Sequence, residues 1–169
     1  MAKIAAIMTD LFEDVEFTQP AEAFRDAGHE VVTVGLEQGV TVKGKKEGTE
    51  VTIDKAVADV GVGDFDALLI PGGYSPDQLR VDKTAVRFAG DFVRSGKPVF
   101  AICHAGQLLI TARVLEGRTF TGYESIVQDI KNAGAEYVDK QVVVDDNLVS
   151  SRHPGDIPAF VREALAQLG

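Results

Sequence analysis

Lys97 to Thr111 reads KPVFAICHAGQLLIT, and at its centre stands Cys103, the only cysteine of the chain. Val99, Phe100, Ala101 and Ile102 form a short apolar run after Gly96 and Pro98, the pattern of a buried strand. From Gly106 onward, Gln107 to Thr111 suit a helix with an apolar face. Cys103 and His104 therefore fall where a strand gives way to a helix. Ala101 and Ala105 lie two residues to either side of the cysteine. A sharp turn that thrusts a nucleophile outward needs small side chains at those positions, as in the G-x-S-x-G elbow, here with Cys for Ser and Ala for both glycines. A helix N-terminus favours thiolate over thiol, and a free thiol near pKa ~8.5 is only about 3% ionised at pH 7. The pattern thus predicts a thiol activated below its ordinary range. Cysteine at a strand end is also a common small buried hydrophobe, and the spacing alone admits that reading.

The flanking chain places this turn in an α/β frame. Lys3 to Met8 is a nearly continuous apolar run, the form of a central parallel strand. Asp14 to Ala27 follows as a helix containing Pro20, and His29 to Leu36 as a second strand. Gly39 to Lys46 and Glu50 to Ile53 alternate in the manner of short antiparallel strands at a sheet edge. Phe65 to Ile70 is another buried strand, ended by Pro71-Gly72-Gly73, and Asp82 to Ser95 is a helix. Beyond the cysteine, short strands at Arg118–Thr121, Glu136–Val138, Gln141–Val144 and Leu148–Ser151 surround a helix over Ser125–Ala133, and Asp156 to Leu168 closes as a helix. This alternation predicts a mostly parallel sheet with helices on both faces, in one domain spanning residues 1–169.

Composition removes several functions. Lys and Arg number 17 against 26 Asp and Glu, and the net charge of −9 disfavours nucleic acid and anionic membrane as primary partners. One cysteine forms no intramolecular disulfide, which suits a reducing, cytoplasmic compartment. The loop TDLFEDVE after the first strand contains no glycine, so it makes no phosphate cradle of the dinucleotide type. Gly61-Val62-Gly63 precedes a strand and reads as turn punctuation. No C-x-x-C or paired-histidine spacing points to zinc, and no cofactor is expected.

Sites in open α/β sheets form beyond the carboxyl ends of the strands. Three such ends are unusual here: Asp10 to Glu13, Pro71-Gly72-Gly73, and Cys103-His104. The Gly-Gly pair permits a close backbone approach, and its N–H groups, with that of His104, can receive a developing oxyanion; a tight turn alone also uses Gly-Gly. Glu13 can reach over the cysteine as acid or base, or simply favour the start of its helix. His104 adjoins Cys103, and at an elbow the two can form a couple that a regular helix forbids.

Four segments, FEDVEFTQPAEAFRDAGHEV, FDALLIPGGYSPDQLR, GKPVFAICHAGQLLI and VVVDDNLVSSRHPGDIPAF, together resemble the PfpI/ThiJ family of intracellular cysteine proteases and deglycases, within the class I glutamine amidotransferase-like superfamily. The resemblance spans essentially the whole chain. It implies a flavodoxin-like three-layer sandwich with Cys103 on the elbow as nucleophile, His104 beside it, and Glu13 hydrogen-bonded to the sulfur. It implies an oxyanion site from the Gly73 and His104 N–H groups, and at least a homodimer. Protease-like members carry a Glu just after the PGG loop that contacts the histidine of a neighbouring subunit; the matching residue here is Asp77, one methylene shorter. Arg152 and His153 match a family loop near the site. The implied activity is a cysteine hydrolase acting on reactive carbonyls or glycated protein adducts, or on peptides, with a role in stress protection. The alternative is a redox-sensing or holding protein whose Cys103 is oxidised.

Overall fold

The computed structural model describes all 169 residues. Its strands are β1 (Lys3–Ile7), β2 (Glu30–Gly35), β3 (Thr41–Lys43), β4 (Glu50–Thr52), β5 (Lys55–Ala56), β6 (Ala67–Ile70), β7 (Val99–Ile102), β8 (Thr119–Phe120), β9 (Glu136–Tyr137), β10 (Val143–Asp145) and β11 (Leu148–Ser151). Its helices are α1 (Asp14–Asp26), α2 (Ser75–Leu79), α3 (Lys83–Arg94), α4 (Gly106–Thr111), α5 (Val127–Asn132) and α6 (Ile157–Leu168). Seven strands form one sheet in the order β10-β11-β7-β6-β1-β2-β5, parallel except for the β10–β11 pair. No helix is long and apolar enough to cross a membrane.

The continuous apolar runs of β1, β6 and β7 are buried on both faces because helices cover both. Alternate side chains serve two cores. Ala5, Ile7, Leu68, Ile70, Val99 and Ala101 join one, with Phe88, Phe92 and Leu109 from α3 and α4. Ile4, Ala6, Leu69, Phe100 and Ile102 join the other, with Phe24 of α1 and Phe160 of α6. Pro20 lies inside α1 and is buried, and the helix continues past it.

The chain leaves β1 for β2 on one side and returns to β6 on the other. The crevice at this reversal receives the loops that follow β1, β6 and β7, the place where open α/β sheets hold ligands. Two of the loops are stitched together. Phe12 and Gly73 form an isolated antiparallel bridge, the Glu13 N–H donates to the Gly72 carbonyl at 3.2 Å, and the Tyr74 N–H to the Leu11 carbonyl at 2.9 Å. A Cβ on Gly73, which has φ +76°, would stand 2.5 Å from the Glu13 nitrogen and from the Leu11 oxygen. This approach therefore needs glycine.

The β3–β4 pair departs from expectation. It forms its own two-stranded ribbon instead of an edge of the main sheet. The reason lies in its turn: the Asp14 carboxylate accepts the N–H groups of Lys46 at 2.9 Å, Glu47 at 3.3 Å and Thr49 at 3.1 Å, so the first turn of α1 fastens the hairpin tip over the crevice. Burial opposes the ionised Asp14, but these N–H groups outweigh it and hold its pKa down from 3.8 to about 2.

A carboxylate with a depressed pKa stabilises the fold above its unfolded value and ceases to do so as pH falls through its folded value. Asp14 should thus contribute about 2 kcal/mol that disappears between roughly pH 4 and pH 2. Asp14→Asn should lower stability at pH 7 by a comparable amount and flatten that acid limb, as read by urea unfolding across the pH range.

Candidate active site

β7 delivers Cys103 into the crevice on a strained backbone. Ile102 is extended at φ −130°, and Cys103 then turns to φ +64°, a conformation that costs a non-glycine residue on the order of 1–3 kcal/mol. Ala101 and Ala105, the small flanking residues, are buried, and a short 3₁₀ turn over Cys103–Ala105 runs directly into α4. The elbow read from the sequence is present. The N–H groups of both His104 and Gly73 lie close enough to the sulfur to favour its ionised form.

The carboxyl at the sulfur is Glu16, not Glu13. Glu16 is fully buried; its Oε1 accepts the Gly72 N–H at 2.8 Å, and its side chain meets that of Cys103. Glu13 sits at the N-cap of α1 with its carboxylate turned outward to Lys45 and Lys46, each at 3.3 Å. The helix dictates this. Glu16 shares the buried stripe of Phe17, Pro20, Ala21 and Phe24, which faces the sheet, whereas Glu13 precedes the first turn and lines the mouth of the crevice. A glutamate embedded in that apolar stripe, four residues before Pro20, was the available sign.

Glu16 and Cys103 share an enclosed space and one charge. Burial, with the nearby charge of Glu13, pushes Glu16 up to about 8 despite the Gly72 N–H. Burial also pushes the Cys103 thiol up, and an ionised Glu16 would add to this, while the His104 and Gly73 N–H groups pull it down. Enclosure therefore works against the low thiol pKa expected from the helix N-terminus. Two adjacent buried acids do not both ionise readily, so the pair titrates as a unit. A protonated Glu16 removes the repulsion, and its Oε2 is buried without a hydrogen-bond partner.

His104 does not form a side-chain couple with Cys103. Its ring lies against Tyr123, with centroids 4.8 Å apart and planes at 31°. Burial, followed by the charge of Lys45, lowers its pKa, and the charge of Asp77 works the other way. Asp77 itself is exposed on α2, 4.0 Å from Arg80, and within the chain it makes no hydrogen bond to His104. Arg152 lines the opposite wall, held by Asp156 at 2.9 Å and Asp139 at 3.0 Å, beside a half-exposed His153. The half-open cavity is about 770 Å³. The hairpin residues Lys45 and Lys46 and the aromatic wall of Tyr74, Tyr123 and Tyr137 also line it, and no sequence motif marks the two lysines, Tyr123 or Tyr137. Burial disfavours the Lys45 ammonium, but Glu13 more than compensates and raises its pKa; Lys45 also lies over the Tyr74 ring at 5.1 Å.

Comparison with known proteins agrees with this arrangement. The sequence pattern of the DJ-1/PfpI family matches residues 2–167. The chain belongs to the DJ-1/PfpI family. It is 60% identical over 168 residues to "Protein/nucleic acid deglycase 2" of Escherichia coli (strain K12), covering 99% of this chain and 98% of that one. It is 59% identical over 167 residues to "General stress protein 18" of Bacillus subtilis (strain 168), covering 98% and 97%. Among solved structures, it overlays a two-domain Anabaena variabilis protein with DJ-1/ThiJ/PfpI-like and ferritin-like domains at a TM-score of 0.98 and 38% identity, over 100% of this chain and 48% of that one. The fold is thus the flavodoxin-like one of the DJ-1/PfpI family, as the sequence resemblance implied.

Replacing Glu16 tests the shared proton. A hydrogen bond to a charged acceptor contributes about 1.5 kcal/mol or more, roughly tenfold. Glu16→Leu, which removes the donor, should slow iodoacetamide alkylation of Cys103 at pH 7 by about tenfold. Glu16→Gln keeps an N–H donor and should lose less. Alkylation of the Leu variant at or above the wild-type rate would show that Glu16 acts as an opposing charge instead.

Proposed function

We propose that this DJ-1/PfpI protein is a cysteine-dependent hydrolase of reactive carbonyls and their early adducts on amines, with Cys103 as nucleophile. The observation that carries the reading is the sulfur itself. It sits on a strained elbow beside a carboxyl that burial pushes toward its neutral form and two nearby N–H groups, at the base of a cavity sized for a small molecule, within the 300–1,000 Å³ typical of such sites. Peptide hydrolysis demands in addition a groove for extended chain and protonation of an amine leaving group. The deglycase name of one close relative and the stress-protein name of another support the same reading.

With a 2-oxoaldehyde the chemistry closes without a cofactor. The sulfur bonds to the aldehyde carbon, and the proton of the Glu16–Cys103 pair ends on the former carbonyl oxygen, which the Gly73 and His104 N–H groups receive while it is charged. Two proton shifts, the aldehyde carbon's hydrogen to the adjacent carbonyl carbon and the new hydroxyl's proton to that carbonyl's oxygen, leave a thioester of a 2-hydroxy acid. Water cleaves that thioester, releasing the acid and restoring the thiol. One water is added, and nothing is oxidised or reduced overall. Glu16 and a neutral His104 are the groups at hand to carry the protons.

Wild type and Cys103→Ala assayed in parallel on methylglyoxal, a glycated peptide and an unfolded protein give the decisive comparison. Turnover of the first two should vanish with the cysteine. Full suppression of aggregation by the Ala variant, with no turnover in wild type, would favour the holding-protein alternative.

A second expectation concerns assembly. Asp77, exposed beside the cavity mouth, serves the histidine of a second copy in a homodimer or larger assembly. Asp77→Ala should then lower turnover several-fold without changing the pH profile of Cys103 alkylation, and Asp77→Glu should keep or raise peptide hydrolysis. A monomer by light scattering with full activity would remove Asp77 from the mechanism.

A further inference from the structure

Away from the cysteine cavity, a groove of about 310 Å³ runs along α3 and the end of α4, lined by Arg80, Lys83, Arg87, Arg94 and Arg113. No carboxylate lines it. Five of the 17 Lys and Arg residues thus crowd one concave strip of a chain whose net charge is −9. Lys83, Arg87 and Arg94 stand four and seven residues apart, which places them on one face of α3. Lys83, Arg87 and Arg113 have no hydrogen bond or ion pair to another side chain. Arg80 donates its Nε–H to the Thr111 hydroxyl at 2.9 Å and makes a loose contact to Asp77 at 4.0 Å, and Arg94 has an exposed pair with Asp91 at 3.2 Å. Glu116 and Asp129 lie in the adjoining depression beyond Arg113 and bound the strip at that end.

The backbone at Arg113 adds an independent sign. Arg113 follows the C-cap of α4 at φ +60°, the left-handed position that glycine fills most easily. The matching positions after α1, α3 and α5 are Gly28, Gly96 and Gly134, all at positive φ. α4 alone of these carries a long cation there, at a cost of about 1 kcal/mol or more. The side chain so held is shared by the cationic strip and by the two depressions next to it. Strain retained at an exposed residue calls for a role outside folding.

We infer that this strip is a docking site for the phosphate backbone of a nucleic acid. Lys83 to Arg94 spans about 16 Å of helix, longer than one phosphate and suited to several successive ones. Four of the five cations are arginine, whose planar fork pairs bidentately with phosphate oxygens. The lining offers Val86, Thr111 and Ala112 between the cations but no aromatic ring to stack a base, so contact is to the backbone and independent of sequence. A protein partner would be expected to meet an apolar centre, which the strip lacks. The whole-chain charge, which disfavours nucleic acid, averages this face away. The site would hold a polynucleotide while the separate cavity acts, consistent with a relative named for nucleic acid as well as protein deglycation. It does not depend on Cys103.

Anisotropy of a labelled single-stranded oligonucleotide of about 20 nucleotides tests the inference. With each cation holding one phosphate, affinity should fall roughly 100-fold between about 50 and 200 mM salt. Arg87→Glu combined with Arg113→Glu should weaken binding at least tenfold at low salt. Arg113→Gly is the variant that cannot fail by misfolding: its melting temperature should rise or stay level while binding weakens about threefold. Methylglyoxal turnover should be the same in all three proteins, so loss of binding and loss of chemistry remain separable. Absent binding, or binding indifferent to these variants, overturns the assignment. So does complete displacement by inorganic triphosphate at equal phosphate concentration, which would give the groove to a free polyphosphate. A change of sedimentation in the variants without DNA would give it to a second copy of the chain and likewise overturn it.

Discussion

A carboxyl and a thiol enclosed together, with room for one negative charge between them, set the terms for everything around them. Neither group can be buried alone and ionised at acceptable cost. Around Glu16 and Cys103 the chain supplies three N–H groups from two different loops, those of Gly72, Gly73 and His104. These donors are in place only if the loops after β1, β6 and β7 meet at fixed spacing. The Phe12–Gly73 bridge and the bonds on either side of it hold that spacing. Leu11 and Cys103 hold positive φ in these loops, and two packed cores beneath the elbow keep the strain at Cys103 from relaxing.

Around this centre the charges are graded by depth. Glu16 lies innermost and is pushed toward neutrality. Glu13, nearer the mouth, is balanced by two lysines of the hairpin. Asp14 faces away and spends its charge on backbone N–H groups. Three acids within four residues thus hold three separate jobs, because successive positions around a helix start look in different directions.

The elbow was legible because its signal is local. Small residues beside a lone cysteine between an apolar run and a helical pattern admit few geometries, and β7 and α4 begin and end where the pattern places them. Glu13 was misassigned for the opposite reason. Choosing among Glu13, Asp14 and Glu16 requires the rotation of α1 about its axis, which depends on packing against the sheet and not on neighbours in sequence. The hairpin was legible as two short strands, but its partner was not, since the Asp14 carboxylate that detaches it from the sheet lies more than thirty residues away. The cationic strip was hidden in a different way, by summing charges over the chain.

Gly72 carries a consequence for how such a sequence can drift. A Cβ there would stand 2.5 Å from Glu16 Oε1, 2.8 Å from the Cys103 Cβ and 2.9 Å from the Ile102 oxygen. Most of the chain's other turn glycines are held by backbone conformation alone, with open space around them, so an asparagine can replace them at modest cost. Position 72 has room for no side chain at all. Descendants that keep the carboxyl–thiol pair must keep this glycine, and a lineage that loses it has already lost the pair.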